Sequence, residues 1–274
     1  MSFIYKLIFM IGMAMFVYAG AAFLLRVENS AALDRPAASP ASPAEFKERR
    51  ALGFKIEKLA RYEYAPSARV KRLAEVHVDG DRQWYSYAPK RSGALPIVIL
   101  LHGAGRNGLS MIEMWQSTAD RFGIVLVAPD SEAQSWTISP SSAAFLASLV
   151  DKAAAHHHID RSRAYLFGHS AGAVYAQVLL NRFETPWQAA AIHGGYAPAD
   201  ELVEVYAETK PLRIYLGEAD HLFSVEQARL TGQTMAARGH DTELVLIPDH
   251  THWFYQAGPQ IAEESYRWFR SVTP

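Results

Sequence analysis

The sequence predicts an α/β protein, a mostly parallel, twisted sheet with helices on both faces, entered through an antiparallel hairpin. Three observations carry this. Residues 96–101 (PIVILL) and 124–128 (IVLVA) are continuous apolar runs of strand length, as strands covered on both faces are. From about residue 96 such runs alternate with helix-type stretches, the order of a sheet built from strand–helix units. Ahead of them, residues 73–78 and 84–87 flank Asp79-Gly80-Asp81, a turn signal between two strand-like runs.

Residues 7–25 (LIFMIGMAMFVYAGAAFLL) form an uncharged apolar run between Lys6 and Arg26. As a helix this run would measure about 28 Å, close to the ~30 Å hydrocarbon core of a bilayer. Residues 1–26 are therefore expected to be an uncleaved signal-anchor, a single transmembrane helix. The competing reading is a cleaved signal peptide, with Ala19-Gly20-Ala21-Ala22 as small residues at its end, but the run exceeds the ~7–15 residues of a usual apolar region. The basic residues flanking the run are nearly balanced. A very short basic head favours export, so the domain that follows is expected outside the cytoplasm, tethered or secreted after cleavage. Residues 27–64 make the connection. The first part is rich in Ala, Pro and Ser, a partly extended tether. Residues 45–61 read as an amphipathic lead-in helix, lying against the domain or on the membrane surface.

Residues 65–274 form the remaining domain. After the hairpin come strand 96–101, helix 109–121, strand 124–128, helix 141–155, strand 164–167, helix 171–181 and strand 189–192. Strand 212–216, helix 225–238, strand 242–247 and helix 259–270 complete the order. A net charge of −1 and the absence of a basic, aromatic-interleaved stripe give no footprint for nucleic acid. With no cysteine in 274 residues, disulfides, thiol nucleophiles and Cys-type zinc sites are excluded. His156-His157-His158 reads as an exposed helix end, because consecutive side chains diverge; no metal and no cofactor is called for.

In sheets of this kind the reacting groups gather at the carboxyl ends of the strands. Gly168-His169-Ser170-Ala171-Gly172 stands between a strand and a helix, the Gly-x-Ser-x-Gly context of a nucleophile elbow. Ser170 needs a base, and the base needs a third group to fix its tautomer. Asp220 and His252 follow in the expected chain order, each just past a strand. Glu218 rivals Asp220 but sits nearer its strand. His250 rivals His252, which has more loop after Pro248 in which to turn back toward Ser170. The oxyanion hole is assigned to the N–H groups of Ala171 and Ala104, the latter in His102-Gly103-Ala104-Gly105-Arg106-Asn107-Gly108, with Gly105 as the alternate. That loop lacks both phosphate-binding spacings. Arg106, His169, His193, Tyr196 and Trp253 are expected to line the substrate pocket, with Trp136 and Trp187 as further candidates.

With loop, elbow, acid and base in order, residues 73–274 resemble the α/β-hydrolase superfamily. HGAGRNG, GHSAG, GEAD and IPDHTHW are most similar to the compact serine esterases related to polyhydroxybutyrate depolymerases and feruloyl esterases. The resemblance implies the α/β-hydrolase fold and a metal-free serine hydrolase acting on small-molecule carboxylic esters. A peptidase, thioesterase or acyltransferase on the same triad is the alternative, and an anchored binding protein the reading from another class. Neither a large cap nor a polymer-binding module is expected.

Overall fold

The computed structural model describes residues 44–56, 58, 62–202 and 208–273. The expected transmembrane helix and most of the tether lie outside the described residues. Within the described residues no helix is long and apolar enough to cross a membrane.

Among the described residues nine strands form one sheet: β1 (Phe46–Arg50), β2 (Glu75–Asp79), β3 (Arg82–Tyr87), β4 (Leu95–Leu101), β5 (Val125–Pro129), β6 (Ile159–His169), β7 (Ala189–His193), β8 (Leu212–Gly217) and β9 (Thr242–Ile247). Their order across the sheet is β1-β9-β8-β7-β6-β4-β5-β3-β2. Only the β2–β3 and β3–β5 pairings are antiparallel, so the hairpin opens an otherwise parallel sheet, as expected. The helices are α1 (Ala68–Leu73), α2 (Gly108–Phe122), α3 (Pro140–Ala154), α4 (Ala171–Arg182), α5 (Val225–Ala237) and α6 (Gly258–Val272).

Side-chain alternation along β4 divides the core. Ile97, Ile99 and Leu101 join Leu146 and Leu149 of α3, Val178 and Leu179 of α4, and Met235 of α5. Val98 and Leu100 face the other way, onto Met111 and Trp115 of α2 and Ile261 and Phe269 of α6. Both faces of the sheet are thereby covered, which is why the strands read as unbroken apolar runs. Each fully buried side chain of this kind contributes roughly 1.5–3 kcal/mol.

One expectation is overturned. Where residues 45–61 are described, the expected lead-in helix is replaced at its start: Phe46–Arg50 is strand β1, paired parallel to β9 at the sheet edge. Phe46 packs on the core beside Gly232, and ion pairs flank the rest of the strand along its ladder to β9. Glu48 pairs with Arg229, Arg49 with Glu243, and Arg50 with both carboxylate oxygens of Glu218 (2.6 and 2.7 Å). Among the described residues the sheet therefore begins at residue 46, inside the stretch read as the lead-in helix.

Candidate active site

The turn from β6 into α4 is closed by van der Waals necessity. A Cβ on Gly168 would lie 2.2 Å from the Gly172 carbonyl oxygen, and one on Gly172 would lie 2.4 Å from that of Leu101. Between them Ser170 has φ 53 and ψ −118, a conformation costing on the order of 1–3 kcal/mol for a non-glycine residue. Ser170 occupies the N-cap of α4 yet makes no capping hydrogen bond, because its hydroxyl is turned toward the base.

The structure brings Ser170, His252 and Asp220 together. Ser170 Oγ lies 3.0 Å from His252 Nε2, and His252 Nδ1 lies 2.9 Å from Asp220 Oδ2. A carboxylate only accepts, so His252 donates from Nδ1 and leaves Nε2 free to accept the serine proton. Asp220 Oδ1 accepts the N–H groups of Leu222 (2.8 Å) and Phe223 (3.0 Å). Burial alone would raise the Asp220 pKa, but the hydrogen bond and charge of His252, with those two N–H groups, hold it below the usual carboxylate value. Asp249, at φ 57, turns the chain after β9 so that His252 comes back over the sheet. Phe223 stacks on the His252 ring at 5.6 Å, a neighbour that no short motif announces.

The rivals fall elsewhere. Glu218 is held by Arg50 on the outer side of its loop. His250 is fully buried, with Nε2 2.9 Å from His193 Nε2.

The loop after β4 lies against the elbow: a Cβ on Gly103 would sit 3.1 Å from Ser170 Cβ. His102 fastens the loop, its Nδ1–H donating to Gly103 O (2.8 Å) and its Nε2 accepting from Ser131 N–H (3.0 Å). Trp136 Nε1–H donates to His102 O (2.7 Å). Gly105 N–H is consumed by Gln134 O, which removes the alternate oxyanion donor. Among the described residues neither Ala104 N–H nor Ala171 N–H is taken by another backbone carbonyl.

Three expectations for the pocket are corrected. His193 lies at 0 % exposure, because the register pairs it with His169 beneath the elbow, where no substrate reaches. Trp187 is equally buried in the core, and Trp136 is spent under the oxyanion loop. His169 is 5 % exposed, with one ring edge toward Gly103. Arg106 and Trp253 do stand together at the rim. The guanidinium lies 5.1 Å from the Trp253 ring centre and 5.5 Å from that of Tyr255, and donates to Tyr64 O (3.1 Å). Tyr62 meets Trp253 edge-on and Tyr64 stacks on Tyr255 at 3.8 Å, so residues ahead of the hairpin build part of this wall. Tyr196 packs edge-on against Phe223.

Of the histidine run, His156 and His158 are exposed, whereas His157 is half-buried and bonded to Ser86 Oγ (2.9 Å). Among the described residues no group of three or more His, Asp or Glu side chains is arranged to hold a metal ion.

Comparison with known proteins agrees with this architecture. Residues 139–271 match the dienelactone hydrolase family. Feruloyl esterase B of Neurospora crassa is 27 % identical over 129 residues, covering 42 % of this chain and 44 % of that protein. The chain thus matches less than half the length of this curated relative. A thermophilic esterase of Thermogutta terrifontis, solved with butyrate bound, superposes with TM-score 0.59 at 18 % identity, over 73 % of this chain and 94 % of that one. An S-formylglutathione hydrolase of Agrobacterium tumefaciens gives 0.56 at 15 %, over 73 % and 95 %. The fold is that of the α/β-hydrolases, and the resemblance drawn from the motifs to esterases of that superfamily is borne out. At the level of the matched domain the chain is of hydrolase type.

Proposed function

We propose that the chain is a membrane-tethered serine hydrolase that cleaves carboxylic esters through an acyl-enzyme. The observation that carries the reading is the unbroken line from Asp220 through His252 to Ser170, with contacts of 2.9 and 3.0 Å at a strained elbow. His252 takes the hydroxyl proton as Ser170 Oγ attacks the ester carbonyl. Asp220 stabilises the imidazolium so formed. The N–H groups of Ala104 and Ala171 receive the negative oxygen, the latter with the N-terminal dipole of α4 behind it. His252 then protonates the leaving alcohol and activates the water that frees the acid. Esterases among the similar proteins support the choice of an ester substrate.

The test is hydrolysis of short-chain aryl esters by the wild type and by Ser170→Ala. Loss of kcat on the order of 10⁴-fold or more is expected; unchanged hydrolysis would refute the assignment. Tethering rests on the uncharged run of residues 7–25. Protease added to intact cells is expected to digest the domain, and digestion only after lysis would place it on the other side.

A further inference from the structure

Three histidines lie beneath the triad, and the reaction as written uses none of them. His169 ends β6, His193 ends β7, and His250 follows β9; all three are buried. His169 Nδ1 is 3.0 Å from His193 Nδ1, and His193 Nε2 is 2.9 Å from His250 Nε2. Burial, with neighbouring histidines adding to it, pushes His169 and His193 well below the usual imidazole pKa, and burial takes His250 to about 4. Near neutral pH each ring therefore carries one proton. Each of the two contacts also needs one proton, so only two arrangements satisfy both. Every N–H points from His169 toward His250, or every N–H points back.

Two acceptors decide the direction. His193 O lies 3.3 Å from His169 Nδ1, and a carbonyl oxygen can only accept. At the far end His250 Nδ1 and Gln256 Oε1 are both buried without a hydrogen-bond partner, and Gln256 is a neighbour that favours a proton on His250. A proton on His169 Nδ1 satisfies the near end, and the same arrangement puts a proton on His250 Nδ1, the one that Gln256 favours. The reverse arrangement would face a ring lone pair with a carbonyl oxygen.

We propose that this one-way row of histidines is the positioning element of the triad, fixing the nucleophile elbow and the base loop relative to each other; the proposal rests on the serine-hydrolase reading above. His193 O also accepts Ser170 N–H (2.9 Å), so His193 holds the strained residue by its backbone and its neighbour by its ring. His250 O accepts Ala219 N–H (2.9 Å), one residue before the triad acid. His250 lies two residues before the triad base, and its ring reaches the elbow through His193. It therefore joins all three segments that carry the triad. None of the three histidines in the row touches the reacting atoms in this role.

The test compares His250→Leu, which removes the hydrogen bond, with His250→Gln, which returns an acceptor near the position of Nε2. In the Leu variant kcat for short aryl esters is expected to fall roughly 10- to 100-fold, with KM within about 2-fold, the signature of a misplaced group. Gln is expected to restore at least about 5-fold of that loss. A folded Leu variant with wild-type kcat, or no recovery with Gln, overturns the proposal. If the Leu variant does not fold, imidazole ¹⁵N spectra of the wild type decide: protons on His169 Nδ1 and His250 Nδ1 are expected, and a proton on His169 Nε2 refutes the row. Fluorophosphonate labelling of the wild type separates the two levels. An unlabelled wild type refutes the hydrolase reading, whereas a labelled wild type with an unimpaired Leu variant refutes positioning alone.

Discussion

At Ser170 the backbone is held at φ 53 by its surroundings rather than by its own preference, and Gly168 and Gly172 are the residues that let those surroundings close in. The base is oriented by chemistry of the same local kind, a carboxylate that can only accept. Asp220→Asn would offer an amide N–H to the Nδ1–H it should receive, or turn its oxygen and lose part of the charge. We expect kcat to drop by roughly 10³–10⁴ with little change in KM, measured on the same aryl esters. A decrease under 10-fold would mean that the acid does not set the tautomer. The motifs made Ser170, Asp220 and His252 legible because each lies just past a strand in the order such triads follow. They could not show that His193 and His250 are buried. That depends on strand register, in which His193 lies opposite His169, and on a loop whose path needs the whole sheet to define it. Tyr62 and Tyr64 were illegible for a similar reason, being brought to the rim from a distant part of the chain.

Among the elements, the parallel strands were readable because burial on both faces leaves an unbroken apolar record. Strand β1 was not. Phe-Lys-Glu-Arg-Arg has one neighbour and mostly wet faces, so its register is written in charges on other segments: Glu218, Arg229, Glu243 and Glu264. Read alone, the same alternation of charge and apolar residues fits an amphipathic helix. Exposed ion pairs of this sort are worth about 0–1 kcal/mol each, so the backbone ladder to β9 and the partly buried Phe46 ring supply much of the attachment. A chain beginning at residue 44 is expected to keep the melting temperature of the full-length protein. One beginning at residue 54 is expected to melt about 5 °C lower or more and to aggregate through the bared β9 edge. Equal melting temperatures would show that β1 is dispensable.

For the molecule as a whole, the buried histidines set an acid limit on stability. His102, His169, His193, His240 and His250 are all depressed chiefly by burial, in the site and away from it. Asp220 opposes this at His250, while His252 and Arg106 reinforce it at His169. Below pH 6.5 the unfolded chain binds protons that the folded one refuses. Stability is therefore full above pH 6.5 and falls as pH drops, down to about 4 for His250. Each such group costs about 1.4 kcal/mol per pH unit within its window. Urea midpoints between pH 7.5 and 4.5 are expected to fall steadily, and a flat profile would contradict neutral burial of these rings. The central claim is that Ser170 is an activated nucleophile, and reaction of the whole protein with a fluorophosphonate, followed by intact mass and peptide mapping, tests it most directly. One phosphonyl group per chain on Ser170, absent in Ser170→Ala, is the predicted result; no adduct, or an adduct on another serine, would contradict it.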